Sequence, residues 1–441
     1  NLIGQRLNAK QEFRLRLLSG PHRDEQVAEN EKEIAALVAE YQSTQDEIKK
    51  SSSAYAALTQ PQTLTVSEIQ GLLTPDTLLL EYSLGSERSF LWEVASDAVN
   101  TYTLAPRSEI ETATKEMFVL LISRQLKRGE TQKQYLVRVK AADTQMERKV
   151  AALSQMLLGP VAKRLGKKRL VIVTDGSLGY LPFAALPSPG TADRSLVTDH
   201  EIVYLPSAST LPVLRRHVAS RPKTPKTLAV LADPVFDAGD SRVSKNLNAP
   251  VRSNQVVGST DVTKRAIRDA GLLEEGVPLA RLPFSRQEAE TIAALAPPSE
   301  SLKALGFSAS LSTALSPNLS RYRIVHFATH ALVNPTRPHL SGLLLSLVDE
   351  QGKPQDGFLS LNQIYNLNLP ADLVVLSACQ TATGKEVKGE GVIGLTRAFM
   401  YAGAPRVVAS LWKVDDAATA EIIKRFYRAM LQKGLRPAAA L

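Results

Sequence analysis

The chain runs to 441 residues, too long for one ordinary domain, so two or three are expected. Its 44% hydrophobic and 22% charged residues exclude a disordered polymer, and its single cysteine excludes an intramolecular disulfide or a multi-cysteine zinc site. A net charge of +9 permits an acidic partner, but aromatics at 5% and basic residues interleaved with acidic ones argue against nucleic acid.

No run of about 18 apolar residues would span a membrane, and NLIGQRLNAKQEFRLRL lacks the apolar core of a signal peptide. With a single cysteine, a reducing cytoplasm is the simplest compartment. Asn1 is not an initiator methionine, and LRPAAAL stops as another helix begins. The expectation is therefore a longer natural protein.

Residues 8–58 read as helical. Ile34, Leu37, Tyr41, Thr44 and Ile48 follow steps of three and four, which places them on one stripe of a helix. SSSAYAALTQPQTL marks a boundary, and the domains expected are 1–60, 61–220 and 221–441.

In the second segment, DTLLLEYSLGSERSFLWEV predicts two strands joined by a glycine turn, then helices over 107–126 and 132–158. RLVIV is a buried strand ending in TDGSLGYLPFAAL; EIVYL is another, leading into a helix around 211–218. The turn after Asp175 is not followed by Gly-Lys-Ser/Thr, so it is not a phosphate-binding loop. No cysteine ends a strand of this segment.

In the third segment LAVLADPVF is a buried strand, and residues 237–276, polar and aperiodic, read as a loop or insertion. Ser285 with Glu288 predicts a capping box opening a helix. A helix around 308–315, the strand YRIVHFAT, strand-like GLLLSLV, the strand ADLVVLSA, a helix in GVIGLTRAFMYAGA, the strand PRVVASLW and a last helix complete the order. Short apolar strands alternating with helices predict a largely parallel sheet covered on both faces, with the site at the carboxyl ends of its strands.

Two such ends carry reactive residues. YRIVHFATH runs out at His330 and DLVVLSAC at Cys379. On neighbouring parallel strands the two would emerge at one edge, where an imidazole can generate a thiolate. The alternative is a packed thiol, because free cysteine is among the most buried residue types. His326, inside the apolar run IVHFA, reads as a residue facing a helix or supporting its neighbour.

HFATHALVNPTRPHLSGLLLS, LSLNQIYNLNLPADLVVLSACQTATG and GEGVIGLTRAFMYAGAPRVVASLWKVDD, in this order, resemble the C-terminal half of a CHAT domain. This caspase-like family is related to separases and often follows tetratricopeptide repeats. LLLEYSLGSERSFLWEV, TDGSLGYLPFAAL and RLPFSRQEAE extend the resemblance to about residues 65–441.

The resemblance implies an α/β, caspase-like three-layer sandwich with a mostly parallel sheet. A second, non-catalytic caspase-like α/β subdomain and an N-terminal helical segment would precede it. It implies a cysteine endopeptidase acting on a protein or peptide substrate through a His330–Cys379 dyad, with the backbone N–H groups of Ala331 and Cys379 as oxyanion donors. Ala331 stands where caspases have glycine, which leaves the backbone conformation there in question. SLWKVDD resembles the separase stretch that supplies an acidic pocket residue. Asp416, or alternatively Asp415, would then select Arg or Lys, with Trp412 lining the pocket. Both aspartates also suit the start of the following helix.

Regulatory repeats upstream and self-cleavage in loop 380–390, at Lys385 or Lys388, are further expectations. No cofactor or metal is expected, since the chemistry needs none and no clustered carboxylate loop suggests calcium. The competing class is a non-catalytic interaction module on the same fold. An acyl or amide hydrolase is disfavoured by the absence of a G-x-S-x-G elbow.

Overall fold

The computed structural model describes residues 10, 24–51, 62–125, 129–191, 194–221, 223–244, 279, 281–333, 341–377, 391–411 and 416–441. The chain divides into two compact units, Asn1–Thr63 and Leu64–Leu441. In the first, helix α1 (Asp24–Ser51) carries the predicted stripe, and Leu37 on that stripe is buried.

The second unit holds two five-stranded sheets. The first sheet has the order β3-β2-β1-β4-β5, formed by β1 (Thr77–Ser83), β2 (Ser89–Val94), β3 (Val99–Leu104), β4 (Arg169–Val173) and β5 (Ile202–Leu205). Strands β1, β4 and β5 are parallel; β2 and β3 fold back antiparallel. Leu78, Leu79 and Leu80 are fully buried in succession, the signature of a strand covered on both faces, and each such side chain contributes about 2 kcal/mol.

Helices α2 (Arg107–Ile122) and α3 (Gln132–Leu158) cover one face with Ile110, Met117, Val150 and Leu153. The bounds of α3 match the periodicity, whereas α2 ends four residues before the expected 126. Asp175 accepts hydrogen bonds from the Leu84 N–H (2.8 Å) and Arg107 Nη2 (3.2 Å), so it ties the β4 turn to the β1–β2 hairpin. Helix α4 (Thr210–Ser220) leads to the second sheet.

That sheet is parallel throughout, in the order β13-β12-β8-β6-β7. Its strands are β6 (Lys226–Ala232), β7 (Ser301–Leu305), β8 (Tyr322–Ala328), β12 (Leu373–Leu376) and β13 (Val407–Ala409). One face carries Val230, Ile324 and Val375 against Ile292 of helix α5 (Pro283–Ala293) and Phe426 of the helix Asp416–Leu431. The other carries Leu231, Phe327 and Val374 against the short helices α6 (Leu311–Ala314) and α7 (Leu361–Tyr365) and helix α8 (Gly391–Tyr401). Helix α9 (Asp416–Leu431) is the last long helix.

Three local expectations are corrected. The helix around 308–315 is only α6, preceded by a 3-10 turn at Gly306–Ser308. GLLLSLV forms β10 (Gly342–Leu344), which joins an antiparallel three-stranded sheet with β9 (His330–Leu332) and β11 (Phe358–Ser360), not the parallel sheet. The expected Ser285–Glu288 capping box is absent. The N-cap is Leu282, and Ser285 instead donates to Leu282 O (2.6 Å) and accepts from the Asp233 N–H (3.1 Å). Glu288 turns inward, because its partners lie in the core. Among the described residues, no helix is long and apolar enough to cross a membrane.

Candidate active site

Strands β8 and β12 lie side by side and parallel, with Leu376 opposite Phe327, and the Ser377 N–H donates to Phe327 O at 2.9 Å. The two strands that lead to His330 and Cys379 therefore leave the sheet at the same edge, where ligand sites of parallel sheets form. Cys379, Trp412, Asp415 and loop 380–390 with Lys385 and Lys388 lie outside the described residues. Asp416 is the first residue of α9.

His330 is not the last residue of β8. That strand stops at Ala328, the chain passes through buried Thr329, whose hydroxyl donates to Leu344 O, and His330 opens β9 opposite Leu344. The residue is 5% exposed, and its ring lies 5.2 Å, centroid to centroid, from Phe236 at a tilt of 43°. Ala331 is buried opposite Leu343. Its φ is not positive, since Asp233 is the one non-glycine with positive φ among the described residues. Alanine in place of glycine therefore forces no left-handed backbone there.

Two buried polar clusters at this sheet were not visible in the sequence. The first surrounds Asp233, which follows β6 where Ala232 pairs with Ala328 and so neighbours the β8–β9 turn. Asp233 is fully buried with φ 51°. Arg281 grips its carboxylate with both Nε (2.8 Å) and Nη2 (2.9 Å), Arg286 Nε reaches it at 2.8 Å, and Arg242 Nη1 at 2.9 Å. Arg242 also pairs with Asp240, and its hydrogen bonds pull the Asp240 carboxyl down to about 2. Arg286 faces Glu290 at 3.7 Å. Three arginines thus meet three carboxylates, and the cluster is balanced.

Its effect is to fix the segment Asp233–Phe236, which carries the ring against His330. Asp233 and Arg281 are 48 residues apart in sequence, and Asp233 and Arg286 are 53 apart, so no local pattern announces the cluster. The one available signal is an aspartate with proline after it at the end of a buried strand in LADPVF.

The second cluster is on the α5–α9 face. His326 is fully buried within β8, between Val230 and Val375 of the flanking strands. Its Nδ1 is 3.1 Å from Tyr427 Oη, and its Nε2 is 2.7 Å from Glu288 Oε1. The other carboxylate oxygen, Oε2, accepts from Ser377 Oγ at 3.1 Å. Burial, then the nearby Glu288 charge, raises the Tyr427 hydroxyl well above the ordinary tyrosine value, so it stays protonated. His326 therefore faces helices α5 and α9.

The CHAT domain model matches residues 147–441, opening inside α3 and taking in all of the second sheet. Tetratricopeptide repeat protein 28 of Homo sapiens is 27% identical over 315 residues, which cover 64% of this chain and 11% of that protein. The Mus musculus protein of the same name is 26% identical over the same shares. The chain thus spans about a tenth of the length of these curated relatives. With the match extending over most of the chain, and with mixed and parallel sheets that accord with a caspase-like arrangement, this protein belongs to the CHAT domain family.

Proposed function

We propose that this chain is a caspase- and separase-like cysteine endopeptidase that cleaves a protein partner with Cys379 as nucleophile and His330 as base. The observation that carries the reading is the adjacency of β8 and β12, parallel neighbours whose carboxyl ends lead into these two residues.

In this reading His330 takes the thiol proton, and the thiolate attacks the scissile carbonyl carbon. The oxyanion meets the N–H groups of Ala331 and Cys379. The intermediate collapses to a thioester as the imidazolium gives its proton to the leaving amine. His330 then deprotonates water, which releases the acid and restores the thiol.

Asp416, or Asp415, beside Trp412 would select Arg or Lys before the scissile bond by charge-assisted pairing. The first α/β sheet would be a non-catalytic caspase-like subdomain supporting the three-layer catalytic one, with boundaries near 60 and 220. Repeats upstream, suggested by the names of the relatives, would present the substrate or regulate access in the cytoplasm. Self-cleavage at Lys385 or Lys388 would be the activating step.

A panel of fluorogenic peptides varied at the residue before the scissile bond tests this directly. Cleavage after Arg or Lys that disappears in Cys379→Ala and in His330→Ala is expected; cleavage that survives both substitutions refutes the dyad. Preference for Leu or Asp removes the role given to Asp416. A second reading, a non-catalytic interaction module, is favoured by the burial of His330 against Phe236. It requires a thiol whose reactivity is indifferent to His330→Ala.

A further inference from the structure

We propose that Glu288 is a positioning residue for the cysteine, tethering the end of β12 through Ser377 and braced from behind by His326 and Tyr427. This deepens the peptidase reading and rests on it for the role of Cys379.

A carboxylate in an apolar cluster is expensive to desolvate. Glu288 is 2% exposed among Ala289, Ile292, Ile423 and Phe426, where an aliphatic side chain would pack at lower cost. Its contacts indicate what the carboxylate accomplishes there. One oxygen lies 2.7 Å from His326 Nε2, an ion-pair distance, and the other nitrogen of that ring meets Tyr427 of α9. The second oxygen is thereby presented to Ser377, the first residue beyond β12.

Ser377 is held at two points. Its backbone N–H donates to Phe327 O of β8, and its hydroxyl makes the bond to α5. Cys379 follows two residues later. The tether thus restrains the strand end that must bring a thiol to an imidazole, and small displacements of reacting groups cost large factors in rate. The same set grips β8 at His326, four residues before His330, so both halves of the dyad are referred to one buried cluster.

Cys379 is the sole cysteine, so alkylation of the native chain by iodoacetamide reports on it alone and needs no substrate. Ser377→Ala, and likewise Glu288→Gln, is expected to slow alkylation roughly fivefold or more, because a displaced thiol loses its base. For Ser377→Ala the thermal midpoint should fall by only a few degrees, the cost of one hydrogen bond to a buried carboxylate, with the chain still folded at the assay temperature, and Ser377→Thr, which keeps the hydroxyl, should restore the rate to within about twofold.

Alkylation of Ser377→Ala at the wild-type rate overturns the tether. His330→Ala is measured alongside: a slowed rate there with an unchanged rate in Ser377→Ala overturns the tether alone, and an unchanged rate in both overturns the dyad and the tether's role with it. A wild-type thiol that reacts only after denaturation counts against both.

Discussion

A carboxylate with no exposed surface costs several kcal/mol to desolvate unless it is paired, and Asp233 is paired three times over. Its left-handed backbone adds a second constraint, since aspartate and asparagine tolerate that conformation and alanine does not. Asp233→Ala should therefore lower the free energy of unfolding in urea by about 3 kcal/mol or more, by leaving three guanidinium groups without their shared acceptor. Asp233→Asn, which keeps the backbone preference and some of the hydrogen bonds, should lose clearly less. Equal losses in the two variants would mean that the arginines find water at no cost. At this scale the sequence proposed His330 and Cys379 as reactive candidates by their place after buried strands, but not the buried clusters around Asp233 and Glu288. Arg242, Arg281 and Arg286 carry no local signal of a common partner, and the fold gathers them on one aspartate.

At the scale of elements, legibility followed burial. Strands β6, β8 and β12 are buried on both faces and read as continuous apolar runs. Strand β3 (VNTYTL), at the edge of the first sheet, alternates exposed and half-buried residues, and β7 (SLKAL) is the corresponding edge of the second; neither carries a strong apolar signal. Strand β9, three residues long, was merged with β8 in the sequence, because a buried turn at Thr329 leaves no glycine or proline as punctuation.

The sheet β9-β10-β11 also sets a strict steric condition. A Cβ on Gly342 would lie 2.4 Å from Leu359 O and 2.7 Å from the Phe358 ring. Backbone on one side and a packed ring on the other cannot both yield, so Gly342→Ala should cost about 1–3 kcal/mol in urea unfolding. Because β10 pairs with β9, the peptide cleavage proposed for His330 and Cys379 should fall as well. A variant with unchanged midpoint and activity would show that this sheet is not rigid.

Across the whole Leu64–Leu441 unit, the two large sheets are joined by side chains as well as by chain. Arg221, at the end of α4, donates to Ala371 O (3.1 Å) and Gly403 O (3.2 Å) and pairs with Asp372, which fastens the exit of the first sheet to the second. Arg436 reaches back to Glu201 at 2.7 Å, and Gly179 of the TDGSLGYLPF turn allows Ile393 of α8 to approach closely. Arg221→Ala should destabilise the unit by about 1–3 kcal/mol, because it strips two carbonyls and a carboxylate of one donor group. The paired surface control Arg425→Ala, 77% exposed beside Glu421, should change the urea midpoint by less than about 0.5 kcal/mol. Similar effects of the two would mean that Arg221 is no more than a surface contact.

The sequence by itself determined the α/β class, the order of most strands and helices and the family, because apolar runs, helical periodicity and local motifs are carried by neighbouring residues. Only the tertiary structure decided which strands are adjacent, that His330 opens an antiparallel strand of its own, and that Glu288 faces His326 and Ser377 instead of capping its helix. Those outcomes depend on residues dozens of positions apart meeting in a low-dielectric interior, where a polar group takes the partner the fold supplies over the one its sequence neighbours offer.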